Sequence, residues 1–299
     1  MDRKLRAILL ALVAALMLGI AACGDDDDDG GGGGGGGDQA AQEGEAIKAG
    51  LVTDIGGLND RSFNFLANKG LEDAQSDLGV EGRVIISEQN GDYVPNLTTL
   101  AQQQFDLIIS NGFLMADATN TVATKLPDRR FAIVDFSATG LKDKPKNVQG
   151  LLFKEQEAGY LAGYLAGLWA KDNNANTVST VGGQKIPPVD HYIAGFQAGA
   201  KKANPQIKTL NAYSQDFVDQ APCKEIALDQ IARGSKVVFQ VAGNCGLGAL
   251  DAARERGVQG IGVDADQAYL GDHVLTSALK RVDVAVFNAI KRAQEGKFE

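Results

Sequence analysis

Twelve consecutive residues hold the densest ligand-gripping chemistry in this 299-residue chain: Thr53-Asp54-Ile55-Gly56-Gly57-Leu58-Asn59-Asp60-Arg61-Ser62-Phe63-Asn64. Two glycines let the backbone turn sharply and approach a ligand. Asp54, Asn59, Asp60, Ser62 and Asn64 supply donors and acceptors beside the flat face of Phe63. The competing reading is an ordinary strand-to-helix turn in which Ser62 is the N-cap of the helix that follows. Within the motif, Gly56 and Gly57 are expected to shape the turn, and Asp54, Phe63 and Asn64 to touch ligand. Asn59 and Asp60 stay open between bracing the loop and contacting it.

The same chemistry recurs after other apolar runs. Strands are expected at 47–52, 83–87, 105–110, 131–135, 177–181, 207–212, 236–241 and 260–263. Segments with helical spacing separate them, at 63–77, 95–104, 117–126, 155–171, 189–203, 222–233 and 247–256. Such alternation predicts parallel sheets covered by helices on both faces. In doubly wound sheets a ligand sits beyond the carboxyl ends of the strands. Those ends carry Asp54, then Asn111-Gly112-Phe113, Asp135, Gly182-Gly183-Gln184, Phe239-Gln240-Val241-Ala242-Gly243-Asn244-Cys245-Gly246 and Asp264-Ala265-Asp266-Gln267. Carboxylates for hydroxyls or ring N–H groups, glycines at backbone amides, and the rings of Phe63 and Phe239 describe a site for a neutral, hydroxyl-bearing, aromatic ligand.

The 254 residues from Ala46 onward suffice for two lobes. The alternation is interrupted after Asp135. A polar Lys and Pro segment at 142–147 and a short extended piece at 148–153 lead into a long helix, which reads as a first crossover between lobes. A second extended piece at 274–279 precedes a helix at 280–294 and carries the chain back. The N-terminal lobe is therefore expected to comprise 46–153 and 280–299, and the C-terminal lobe 154–279. No strand follows the last helix, so the C-terminus reads as truncated, with a third crossover missing.

Ahead of the lobes, Arg3, Lys4 and Arg6 precede an apolar run of 15 residues at 8–22 that ends Ile20-Ala21-Ala22-Cys23. This is a signal peptide, too short for a good membrane span. Its ending resembles the lipobox of bacterial lipoproteins, which implies cleavage before Cys23 and lipidation there. Residues 23–45, with a run of five aspartates, an eight-glycine run and Asp38, read as a hydrated tether. Aspartates without fixed geometry make a poor metal site.

Net charge is −9, of which residues 1–23 carry +2 and residues 24–38 carry −6, leaving −5 from Gln39 onward. A mildly acidic body without a basic stripe argues against a nucleic-acid partner. Gly159, Gly163 and Gly167 recur every four residues on one helix; the uncharged stretch around them is too short to span a membrane. Close packing of that helix on its own sheet accounts for them. Cys245 and Ser62 are nominal nucleophiles, but His191 and His273 sit in no triad motif and no phosphate-binding loop follows a strand, so no catalytic residue is assigned. His191 is placed at the solvent-facing surface of the second lobe.

Thr53-Asp54, Gly57-x-Asn59-Asp60-x-Ser62-Phe63-Asn64, the 131–135 strand, Phe239-Gln240-Val241-Ala242-Gly243, Gly262-Val263-Asp264-x-Asp266-Gln267 and Leu275-Thr276-Ser277-x-x-Lys280-Arg281-Val282-Asp283 together resemble the basic membrane protein family. These are substrate-binding lipoproteins of ABC importers, purine nucleoside receptors among them. The resemblance implies a type I periplasmic-binding fold: two doubly wound parallel-sheet lobes joined by hinge crossovers. It implies a monomeric, lipid-anchored, extracytoplasmic receptor that needs no cofactor and hands a purine nucleoside to a permease and its ATPase. A sensor of the same fold, or a receptor for another hydroxylated ligand such as a sugar, is the alternative. By motif, Phe63 and Phe239 would sandwich the purine, with Asn64 and Asp135 on its edge. Asp264 and Lys280 would take the ribose, helped by Asp54 and the backbone of Gly243.

Where the family commonly has Gly-Gly-Thr-Gly, this chain has Gly243-Asn244-Cys245-Gly246. Cys223 and Cys245 then fall on one edge of the sheet and are candidates for a disulfide in a compartment that permits it. A free buried thiol is the alternative; two cysteines without a nearby histidine are too few for a metal site.

Overall fold

The computed structural model describes residues 46–298; the expected signal peptide, Cys23 and the tether up to Glu45 lie outside them. Ten strands form two all-parallel five-stranded sheets. The first orders β2 (Glu81–Ile85), β1 (Lys48–Thr53), β3 (Leu107–Asn111), β4 (Arg130–Val134) and β5 (Val148–Leu151). The second orders β7 (Lys208–Tyr213), β6 (Thr177–Gly182), β8 (Val237–Val241), β9 (Gln259–Asp264) and β10 (Val274–Leu279). The two orders are topologically the same. Position by position, β4 corresponds to β9 and β5 to β10, so the residues that follow them are structural counterparts.

Helices α1 (Phe63–Leu78), α2 (Tyr93–Gln102) and α3 (Ala116–Lys125) belong to the first sheet. Helices α4 (Glu155–Asp172), α5 (Pro187–Ala203), α6 (Gln220–Ala232) and α7 (Gly243–Glu255) belong to the second. The last, α8 (Val282–Gln294), follows β10 yet packs on α1 in the first lobe. Each central strand is buried on both faces, β3 and β8 over their whole length, which is why they read as continuous apolar runs. Two cores flank each sheet. One in the first lobe gathers Leu51, Leu71, Ile109 and Ile290, and one in the second gathers Phe196, Phe239, Ile193 and Ile261.

Strand β2 begins and ends two residues before its expected bounds, because β1 pairs with it from Lys48 opposite Glu81 to Val52 opposite Ile85. Ile86 beyond that pair is exposed. Helix α7 begins four residues early, at Gly243. Gly243 (φ 53°) makes the turn, and the Cys245 amide donates to the Phe217 carbonyl at 3.2 Å.

The glycine stripe of α4 meets a helix, not the sheet. A Cβ at Gly159, Gly163 or Gly167 would lie 2.3, 2.0 or 2.6 Å from the carbonyl oxygens of Tyr192, Phe196 and Ala200 on α5. Gly195 and Gly199 of α5 meet the Gln156 and Tyr160 carbonyls of α4 in the same way, at 2.2 and 2.0 Å. The two backbones therefore touch, with no room for a side chain between them. Among the described residues no helix is long and apolar enough to cross a membrane.

Cys223 and Cys245 form a disulfide with Cα atoms 5.6 Å apart, joining the first turns of α6 and α7. Both sulfurs are buried, so the bridge is part of the second-lobe core.

Gly163→Ala is expected to lower stability in urea denaturation by about 1–3 kcal/mol, because α4 and α5 must part to admit the methyl group. Gly91→Ala, where nothing lies within 4 Å of the added carbon, should change little. Replacing both Cys223 and Cys245 by serine should cost about 3 kcal/mol in the same measurement, from the loop entropy released in the unfolded chain.

Candidate functional site

The carboxyl ends of the two sheets face one cleft of about 640 Å³. Asp54, Asp60, Phe63, Asn64, Phe113 and Asp135 line it from the first lobe, Phe217, Gly243, Asn244 and Asp264 from the second, and Lys280 from the crossover.

Asp54 leaves β1 and is nearly buried. Its Oδ1 accepts from the Ile55 amide at 2.7 Å and from the Tyr93 hydroxyl. Gly112 gives it space, since a Cβ there would lie 2.6 Å from Asp54 Oδ2. Asn64 shapes this loop with its whole amide: Oδ1 accepts from the Asp54 amide (3.2 Å) and Asn111 Nδ2 (2.9 Å). Asn64 Nδ2 donates to the carbonyls of Asp54 and Ile55. No hydrogen-bonding capacity is left over for a ligand edge.

The open question over Asp60 has a geometric answer. Its carboxylate accepts from the amides of Ser62 (3.0 Å), Asn64 (2.7 Å) and Phe65 (3.0 Å), so it caps the start of α1. Ser62 occupies the N-cap position but makes no capping hydrogen bond. Instead its Oγ donates to Asp264 Oδ2 at 2.6 Å, across the cleft. The expected capping role of Ser62 is thus replaced by a link between lobes, because Asp60 reaches the free amides first.

Asp135 and Asp264 are counterparts, one following β4 and one ending β9, and both have left-handed backbones, with φ 69° and 62°. Aspartate tolerates this conformation better than most residues. Lys280, just after β10, lies 2.6 Å from the Asp135 carboxylate and 3.0 Å from Glu155 Oε1. Its ammonium also lies over the rings of Phe63 and Phe153, at 5.2 and 4.9 Å from their centroids.

Burial raises the carboxyls of Asp54, Asp135 and Asp264 to about 6 from the ordinary 3.8. Lys280 opposes the rise at Asp135 and Asp264, and the Tyr93 hydroxyl opposes it at Asp54. Burial pushes Lys280 down, but Asp135, Asp264 and Glu155 outweigh it and hold the ammonium above its usual value. The cleft therefore holds more buried carboxylate than its single cation neutralises.

Phe239 is not in the cleft. Strand alternation turns it into the second-lobe core, where it is fully buried beside Phe196 (5.2 Å) and Tyr192 (6.0 Å between centroids). The ring that lines the cleft from the second lobe is Phe217, in the loop between β7 and α6. It lies over Gly183, where a Cβ would come 2.2 Å from the ring. The rule that points to strand ends finds Phe217 once it is applied to β7 as well as to the central strands. Phe113, after β3, lines the first lobe and pairs with Phe136 at 5.0 Å. His191 is exposed and lies 3.7 Å from Glu155 Oε2.

Residues 47–299 match the family model described as Bmp, ABC transporter substrate-binding protein PnrA-like. The chain belongs to the Bmp family. It is 36% identical over 273 residues to an uncharacterized lipoprotein of Pyrococcus horikoshii, covering 87% of this chain and 67% of that one. It is 35% identical over 274 residues to the ABC transporter nucleoside-binding protein BmpA of Lactococcus lactis, covering 84% and 76%. The chain thus spans about two thirds to three quarters of these relatives. An ABC transporter solute-binding protein from Aeropyrum pernix shares its fold with a TM-score of 0.78 and 30% identity, over 84% of this chain and 72% of that one. An arabinose-binding protein from Geobacillus stearothermophilus, with a TM-score of 0.65 and 17% identity over 84% and 88%, shows the fold alone. This Bmp protein is accordingly an ABC transporter substrate-binding protein, with the two-lobed α/β architecture of periplasmic solute-binding proteins.

Buried carboxyls with raised proton affinity are stabilised in the folded state by protonation, so their contribution is present at low pH and lost as pH rises through about 6. Ligand-free Asp54→Asn should be more stable than the parent at pH 8, by at most about 3 kcal/mol. The gain should fade towards pH 5, as thermal denaturation across that range would show.

Proposed function

We propose that this Bmp protein captures a purine nucleoside between its lobes and delivers it to an ABC importer, held at the extracytoplasmic membrane face by a lipid on Cys23. The observation that carries this reading is the meeting, in one cleft, of aromatic rings from both lobes with three buried carboxylates. A flat heterocycle fits between Phe217 and the first-lobe rings Phe63 and Phe113. Asp135 and Asp54 suit the N–H groups of its edge, and Asp264 with Lys280 suits ribose hydroxyls. The Gly243 backbone, without a side chain, lets the sugar approach. Asn64 acts one step back, by holding the Asp54 loop. The relative named a nucleoside-binding protein supports the assignment, and the names of the lipoprotein relatives support the anchor.

Ligand closure would be a shift between open and closed arrangements of the lobes about residues 152–154 and 279–281. The Ser62 to Asp264 hydrogen bond belongs to the closed one.

Calorimetric titration with adenosine, guanosine, inosine, ribose, arabinose, glucose and amino acids tests the assignment. Nucleosides should bind and the others should not; binding only to sugars or amino acids would overturn it. Asp264→Ala should weaken nucleoside binding by at least about tenfold, the loss expected for a charge-assisted hydrogen bond. Phe217→Ala should weaken it comparably, while Phe239→Ala should act chiefly on stability.

A further inference from the structure

Glu155 is a buried acid behind the cleft, in contact with Lys280, that motif and strand-end reasoning left without a role. It opens α4 just after β5, and Lys280 follows β10, the counterpart of β5 in the other sheet. The two crossovers between lobes therefore meet through this pair. Glu155 Oε1 lies 3.0 Å from Lys280 Nζ, and both side chains are almost completely buried, 4% and 3% exposed. Glu155 does not line the cleft, whereas Lys280 and Asp135 do.

We propose that Glu155 is a positioning residue of the ligand site, dividing the Lys280 ammonium with Asp135 so that Lys280 keeps an N–H for the ligand and Asp135 keeps accepting capacity. An ammonium has three hydrogens. Nζ donates to Asp135 at 2.6 Å and makes an ion pair with Glu155 Oε1 at 3.0 Å, so on this proposal two hydrogens serve the acids and the third serves the ligand. Asp264 also acts on the ammonium through the cleft, but with Asp135 as the one acid in contact, Lys280 and Asp135 would form a closed, neutral pair and have less to offer a ligand. With two carboxylates the cluster keeps an excess negative charge. Asp135 remains under-neutralised in its buried position, which agrees with the raised affinity of its carboxyl for a proton. The rings of Phe63 and Phe153 lie 5.2 and 4.9 Å from the ammonium and favour its position between the acids. Besides Lys280, the basic side chain nearest Glu155 is His191 of α5, exposed and at the longer distance of 3.7 Å.

The proposal rests on the cleft being the ligand site, and its test has one arm that needs no ligand. In that arm, protein with isotope-labelled lysine is titrated by NMR, and the Lys280 signal is assigned by its loss in Lys280→Met. Glu155→Gln should lower the Lys280 titration midpoint, Glu155→Asp should restore most of it, and His191→Ala should leave it in place. In the other arm, the binding panel above is measured with Glu155→Gln in the parent and in Lys280→Met. Glu155→Gln should weaken binding at least about tenfold in the parent. It should add less than about twofold when Lys280 is already gone, because the effect passes through that side chain. An unchanged Lys280 midpoint, or equal losses in the two backgrounds, would overturn the proposal. If no nucleoside binds the parent protein, the nucleoside assignment fails while the NMR arm still decides the role of Glu155.

Discussion

A single ammonium, that of Lys280, sits where both lobes and both crossovers converge, and the rest of the cleft is organised around it. Removing a lysine from water is costly, and only paired charges with good geometry make it tolerable. Asp135 comes from the first sheet, Glu155 from the start of the first crossover, and Lys280 itself from the second. Two aromatic faces close the remaining sides. Because these groups belong to different parts of the chain, the ion cluster requires both lobes to be folded and joined. It also couples the hinge to the ligand-facing surface.

The cleft pairs this cation with an excess of acid. Asp54, Asp135 and Asp264 are held in surroundings that favour their protonated forms, a standing cost to the ligand-free protein. A ligand rich in N–H and O–H donors relieves that cost, which is differential binding built from desolvation. The strain-tolerant backbones of Asp135 and Asp264, at equivalent places in two sheets of the same topology, show the cleft as a near-symmetric pair of acidic strand ends. The symmetry is broken at the next strand, where Glu155 stands in one lobe and Lys280 in the other.

Much of this was legible from residue order. The alternation of apolar runs and helical spacing located all ten strands, including the extended pieces at β5 and β10, and most boundaries within two residues. The strand-end rule brought Asp54, Phe63, Asn64, Asp135, Gly243 and Asp264 to one cleft, and the family resemblance added Lys280. What it missed has physical causes. Phe239 lies on the core-facing side of a strand buried on both faces, where no polar alternation reveals which way a ring points. Phe217 sits four residues into a loop after an edge strand. Asn64 looked available for ligand because an amide's partners cannot be seen until the loop around it is built.

Sequence alone determined the alternation of elements, the chemistry gathered at the strand ends and the family, because these depend on residue type and short-range order. Tertiary structure decided which groups are spent on holding the protein together and which face the cleft. Ser62 reaches Asp264 more than two hundred residues away, the α4 glycines serve a helix instead of a sheet, and Glu155 finds Lys280 across two crossovers. Each is a competition for hydrogen bonds, space or charge between segments distant in sequence, and only the folded chain brings the competitors together.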